Sequence, residues 1–259
     1  MQIRTKTTIG IIAIGIIATI GGVLSKNKFV HIDEMPKSNI HVVILSGHGS
    51  IQDGKYQTQG KQSPTWQDGL KIYEGYSCKL LALDLSKKLN ENHIDNTIIN
   101  NYSTDLSLID RANKINELFN INKKIVGISL HHNAQPTDKA DYTDFEGLKG
   151  FTSTSAGGAT GIEVFTSVGK TESDNIADNY ILPAMKRNMP NLHFRNNGKA
   201  KEQNFYILSK TKSPHILIEW LFMTTYTDCL IIADDYYREI YINSIVEGYI
   251  QYNNSISNK

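Results

Sequence analysis

Lys124 to Ala134 reads KIVGISLHHNA. The apolar run inside it is too short for a helix and rich in β-branched residues, so it predicts a strand buried on both faces, and polarity then begins abruptly at His131. Two other stretches share this form: HVVILSGHG, His41 to Gly49, and HILIEW, His215 to Trp220. NTIIN (Asn96 to Asn100), GIEVFTS (Gly161 to Ser167) and NFYILS (Asn204 to Ser209) are further strand candidates. Helical patterns separate them, roughly from Asp68 to Asn90, Leu106 to Phe119 and Ser173 to Arg187, with a last one from about Ala233 into the tail. Strands alternating with helices predict an α/β domain built on a mainly parallel open sheet of about six strands flanked by helices.

Polar residues stand where the pattern asks for apolar ones. His48 falls just past the first strand, His131 just past another, and Glu219 inside a third, all at carboxyl ends. The ligand crevice of an open α/β sheet lies outside those ends, so the three can converge. Glu74 precedes Cys78, Ala82, Leu85 and Leu89 on the core-facing stripe of its helix. A carboxylate there needs a cation, a metal or strong donors; the plain alternative is a frayed first turn with Glu74 in water, favoured by the helix dipole. Two histidines and a carboxylate with a fourth position open make a catalytic zinc set, and a further glutamate supplies a general base. Gly47 and Gly49 let the chain turn sharply around His48. His31, His41, His93, His132, His193 and His215 read as ordinary core or surface residues.

The rest of the chain sets bounds. At 259 residues, 40% hydrophobic and 20% charged, it is long enough for a full core and excludes a wholly disordered or collagen-like protein. With 27 Lys+Arg against 26 Asp+Glu, it lacks the basic footprint of a nucleic-acid binder. Two cysteines, Cys78 and Cys229, are too few for a disulfide scaffold or a paired Cys zinc site. Thr8 to Leu24 is an uncharged apolar run between Arg4, Lys6 and Lys26, Lys28. It is expected to enter a membrane, as one N-terminal transmembrane anchor over residues 1–28 or as a signal segment, followed by a linker over 29–38 and a catalytic domain over 39–259. Two polar stretches, Ser50 to Gln67 and Gln135 to Thr160, are expected to be loops at the rim of the site.

The ordered motifs from about His41 to the last helix resemble the zinc-dependent N-acetylmuramoyl-L-alanine amidases of the amidase type 3 group. The set comprises Gly47-His48-Gly49-Ser50, Glu74 at a helix start, a helix from Arg111 to Asn116, Ser129-Leu130-His131-His132-Asn133-Ala134, Gly161-Ile162-Glu163-Val164, and a proline-led strand from Pro214 to Glu219. The resemblance implies that His48, Glu74 and His131 bind one Zn2+ and that Glu219 is the catalytic acid/base. It also implies a substrate, the amide joining the lactyl group of N-acetylmuramic acid to L-alanine in peptidoglycan. Asn133, Lys55, Trp66 and Tyr142 are candidate substrate contacts. The chain departs from the family at Leu45 and Ser46, where Asp-Pro or Asp-Ala is common, and at Ser50. Beyond Glu219 the glycine and asparagine of the family are replaced within Trp220 to Thr225. The expected setting is a domain held outside the cytoplasm, facing the cell wall, or secreted if the segment is cleaved, with an activator protein as a candidate partner. Two other readings stay open: a different zinc peptidase of wall peptides, and an inactive wall-binding protein of the same fold.

Overall fold

The computed structural model describes residues 38–66, 68–99, 104–135 and 158–257. The chain divides after Pro36 into two units, and the second, Lys37–Lys259, carries the fold below. Thr8 to Leu24 and Tyr142 lie outside the described residues. Among the described residues no helix is long and apolar enough to cross a membrane.

The elements follow in chain order as β1 (His41–Ser46), β2 (Ile51–Gln52), β3 (Lys55–Tyr56), α1 (Glu74–Glu91), β4 (Asp95–Ile98), α2 (Leu108–Ile121), β5 (Ile125–Asn133) and β6 (Ile162–Thr166). Then come α3 (Thr171–Ile176), which continues through a π turn into α4 (Leu182–Asn188), β7 (Lys201–Glu202), α5 (Tyr206–Lys210), β8 (His215–Phe222), α6 (Tyr226–Ala233) and α7 (Asp235–Ser257). Six strands form one sheet in the order β4-β1-β5-β8-β6-β7. Neighbours run parallel except β6 and β8, which are antiparallel. The mainly parallel sheet expected from the run pattern is therefore present.

The sixth strand is not the expected one. NFYILS folds into α5, and the two-residue β7 pairs with β6 in its place. An apolar run this short fits either period, and here Ile207 and Leu208 bury one face of a single helical turn. The first long helix begins at Glu74 rather than Asp68. The stretch before it is spent on a turn in which the Trp66 amide donates to Leu70 O and Gly69 N–H returns to Trp66 O. The 50–67 stretch also holds the β2–β3 hairpin.

Alternation along the strands sorts the core onto two faces. Val42, Ile44, Ile128, Leu130, Ile216, Ile218 and Trp220 pack against α1 and α7, where Leu81, Leu85 and Leu89 are fully buried and Trp220 stacks on Tyr241 at 4.3 Å. Each such leucine contributes about 2 kcal/mol by removal from water. Val43, Leu45, Ile125 and Leu217 face α2 and α5 with Ala112, Ile115 and Ile207. Ser107 starts α2 by accepting from the Asp110 amide at 3.1 Å. Cys78 and Cys229 are buried free thiols.

Candidate functional site

β1, β5 and β8 are parallel neighbours, so their carboxyl ends meet at one edge of the sheet. His48 follows β1, while His131 and Glu219 sit within β5 and β8 in register with each other. His131 was expected just past its strand; the strand instead continues to Asn133, with a register shift between His131 and Asn133. Glu74 is the first residue of α1 and is 2% exposed. The frayed, solvated turn does not occur.

What holds Glu74 there is legible in its neighbours. Its amide donates to Lys61 O at 3.0 Å and the Gly75 amide to the Tyr56 hydroxyl at 2.9 Å, so the hairpin loop satisfies two of the helix's orphan donors. A Cβ on Gly75 would fall 1.8 Å from Gly49 O, so only glycine lets the helix start press on the turn that carries His48. At Gly47 a Cβ would meet the His131 ring at 2.7 Å. His48 has a φ of 57°, a left-handed conformation that costs a residue with a side chain about 1–2 kcal/mol. Arg111 braces the same turn, donating to Ser46 O at 2.7 Å and Leu106 O at 2.9 Å and pairing with Asp105 at 2.8 Å.

The donors converge. Glu74 Oε1 lies 3.2 Å from His48 Nε2 and 2.9 Å from His131 Nδ1, and one ligand atom from each of the three residues lies within 4.8 Å of the others. Burial pushes the Glu74 carboxyl up, but hydrogen bonds from His131 and His48 outweigh it and hold the group well below the usual carboxylate range. Two imidazoles and one carboxylate are the donor types of a catalytic zinc site, so these residues fit a divalent ion. Glu219 lines the same cleft of about 540 Å3, and its Oε2 is a buried oxygen with no hydrogen-bond partner among the described residues. Burial pushes its carboxyl up to about 7, with His131 pulling the other way and Glu74 adding to the rise.

Of the candidate substrate contacts, Asn133 lines the cleft and donates to Glu163 Oε2 at 2.6 Å. Trp66 does not reach it: the ring is 5% exposed and packs edge-on against Tyr226 in the core. Lys55 projects from the exposed hairpin and is not among the residues lining the cleft. The cleft wall also contains Lys61, Tyr206 and Met223, which no motif marks. His132, next to His131, faces the opposite side of the sheet, where its Nδ1 meets Trp220 O at 2.7 Å and its Nε2 meets Ser77 Oγ at 2.8 Å. Leu221, two residues past Glu219 in the stretch where the family's glycine is replaced, has a φ of 65°.

A three-donor pocket beside a carboxyl group that is buried yet unpartnered suits one task, the activation of water against a carbonyl, and this is the class of hydrolases to which the fold and site point. By its sequence over residues 42–251 the chain belongs to the amidase type 3 family, N-acetylmuramoyl-L-alanine amidase. No curated protein matches it at a significant level. Among solved structures it is similar to an N-acetylmuramoyl-L-alanine amidase from Clostridium difficile 630, at 24% identity and a TM-score of 0.62, over 83% of this chain and 97% of that one. It is also similar to the CwlD amidase of Clostridioides difficile in complex with the GerS lipoprotein, at 18% identity and a TM-score of 0.61, over 84% and 100%. Ami1 from Mycobacterium smegmatis matches at 16% and 0.61, over 84% and 98%. These structures share its fold.

Proposed function

We propose that this protein hydrolyses the amide between N-acetylmuramic acid and L-alanine in peptidoglycan, with His48, Glu74 and His131 holding a zinc ion and Glu219 serving as acid and base. The observation that carries the reading is the meeting of three ligand atoms within 4.8 Å beside the unpartnered Glu219 Oε2, in a chain of this family. Zinc bound there supplies Lewis acidity, which polarises a carbonyl and brings the pKa of water toward about 7.

The chain's own residues do the proton work. Glu219 takes the proton of the attacking water at Oε2 and gives it to the departing alanine nitrogen, so one carboxyl serves both halves of the reaction. Burial raises the Glu219 carboxyl of the metal-free chain above the ordinary carboxylate range, the direction a proton acceptor working near neutral pH requires. Asn133, held by its hydrogen bond to Glu163 at 2.6 Å, lines the cleft beside it and orients the substrate's peptide side.

The apolar run from Thr8 to Leu24 supports a membrane tether, and a substrate in the cell wall supports residues 39–259 lying outside the cytoplasm. The CwlD structure, solved in complex with a lipoprotein, supports a protein as a partner of this chain, the activator expected from the resemblance among the candidates. The test is to incubate the full chain with zinc and purified peptidoglycan, with a chelator control, and identify products by mass spectrometry. Stem peptides beginning with L-alanine, absent with chelator, are expected. Cuts confined to bonds within the stem contradict the proposal in favour of a peptidase, and intact peptidoglycan beside folded, zinc-loaded protein contradicts it in favour of a binding protein.

A further inference from the structure

The register of the sheet extends the site sideways. Glu219 of β8 is paired with His131 of β5 on one side and with Glu163 of β6 on the other. Paired residues on adjacent strands share a face, so the three side chains form a row at about 4.8 Å per strand. The segment after α4 adds a fourth member. Phe194 bridges to Ile162, the Arg195 amide donates to Ile162 O at 3.0 Å, and Arg195 Nε stands 3.3 Å from Glu163 Oε1.

Beyond Glu163 the surface opens into a groove of about 420 Å3 that includes His193, Arg195, Asn196 and Lys201. With Arg195 and Lys201 against Glu163, its lining is net positive. The guanidinium is positioned rather than loose: it lies over the Phe222 ring at 5.0 Å and its Nη1 donates to Thr160 O at 3.3 Å. The pairing with Glu163 falls short of a hydrogen bond, and Nε is a buried donor without an acceptor among the described residues. A held, partly exposed guanidinium that shares its groove with a lysine matches a carboxylate better than any neutral group.

We propose that the groove at Arg195 and Lys201 is a subsite for a carboxylate of the stem peptide, and that it sets which way the substrate lies across the catalytic centre. The assignment rests on the amidase reading for the identity of the peptide. Of the two sides of the scissile amide, the glycan is uncharged and the peptide carries the carboxylates. Two strand spacings, about 10 Å, separate Glu219 from the Arg195 position, a distance that about three extended residues span. The peptide then runs over β6, with the glycan directed away from it.

The test compares two soluble substrates of the full, zinc-supplied chain: a muramyl peptide with free carboxylates and the same compound with every carboxylate amidated. The wild-type kcat/KM is expected to favour the free acid about tenfold, mostly through KM, as for one charge-assisted contact. In Arg195→Gln that preference should fall to within about twofold of none, and in Arg195→Lys part of it should return. If Arg195→Gln does not fold, Lys201→Gln on exposed β7 should lower the preference about threefold. Equal use of both substrates by the wild type, or a preference unchanged in the variants, overturns the subsite while leaving the amidase reading intact. If the wild type cleaves neither compound, the amidase reading fails by itself. Titration of the free stem peptide, followed by amide NMR shifts over residues 193–201, then decides the subsite: shifts in the wild type that Arg195→Gln loses uphold it, and no shift in the wild type overturns it.

Discussion

Two consecutive histidines on β5 meet opposite fates, His131 on the cleft face against Glu74 and His48, and His132 on the helix-packed face between Trp220 O and Ser77 Oγ. Residue type is the same and backbone position differs by one, so what separates a candidate metal donor from a structural group is which side of the pleat it takes. Burial keeps His132 below its ordinary pKa and therefore neutral, which suits a ring that bridges a carbonyl and a hydroxyl. The cleft face has the opposite economy. There polar atoms are left over, and Glu219 Oε2 is the clearest case.

Substitutions can break this contrast, and the largest effect belongs to the cleft face. His131→Ala removes one of three donors, and hydrolysis of peptidoglycan should fall by about 1000-fold or more under zinc, measured as released stem peptide. Glu219→Gln keeps the donors and removes the proposed proton carrier, and its rate should fall about 100- to 1000-fold in the same assay. On the other face, His132→Ala strands Trp220 O and Ser77 and should cost about 2–3 kcal/mol in denaturant unfolding. Its zinc content should stay at the wild-type level.

A smaller effect tests the burial of Glu219 directly. Its folded pKa, about 7, lies above the ordinary carboxylate value, so the folded state holds a proton that the unfolded state releases. Relative to Glu219→Gln, the metal-free wild type should therefore lose stability as pH rises from about 4.5 to 7, by on the order of 2 kcal/mol at pH 8, while buried His132 and His215, whose lowered pKa values act in the other direction, give both proteins the same slope. Thermal unfolding of both proteins across that range measures it; parallel curves contradict the burial argument. Smallest of all, Lys55→Ala on the exposed hairpin should change stability by less than about 0.5 kcal/mol and hydrolysis by less than twofold.

The parallel sheet and the convergence at its carboxyl edge were legible because buried runs ending in histidine or glutamate carry their own direction. Glu74 was legible as an anomaly, a carboxylate on an apolar stripe, although its partners were not. Trp66 misled because a loop composition does not reveal that a ring turns inward onto Tyr226. α5 misled because an apolar stretch of only four residues, Phe205 to Leu208, has no decisive period. The row from His131 through Glu219 and Glu163 to Arg195 was invisible, since it arises from an antiparallel register and from a bridge between residues 162 and 194, neither of which leaves a local pattern.

The most direct test of the site is the zinc content of three folded proteins, the wild type, His131→Ala and Glu219→Gln, by mass spectrometry of the metal after dialysis against limiting zinc. The donor geometry predicts about one ion per chain in the wild type and in Glu219→Gln, and a loss in His131→Ala. Wild-type zinc in His131→Ala would contradict the ligand set, and with it the account of how this cleft works.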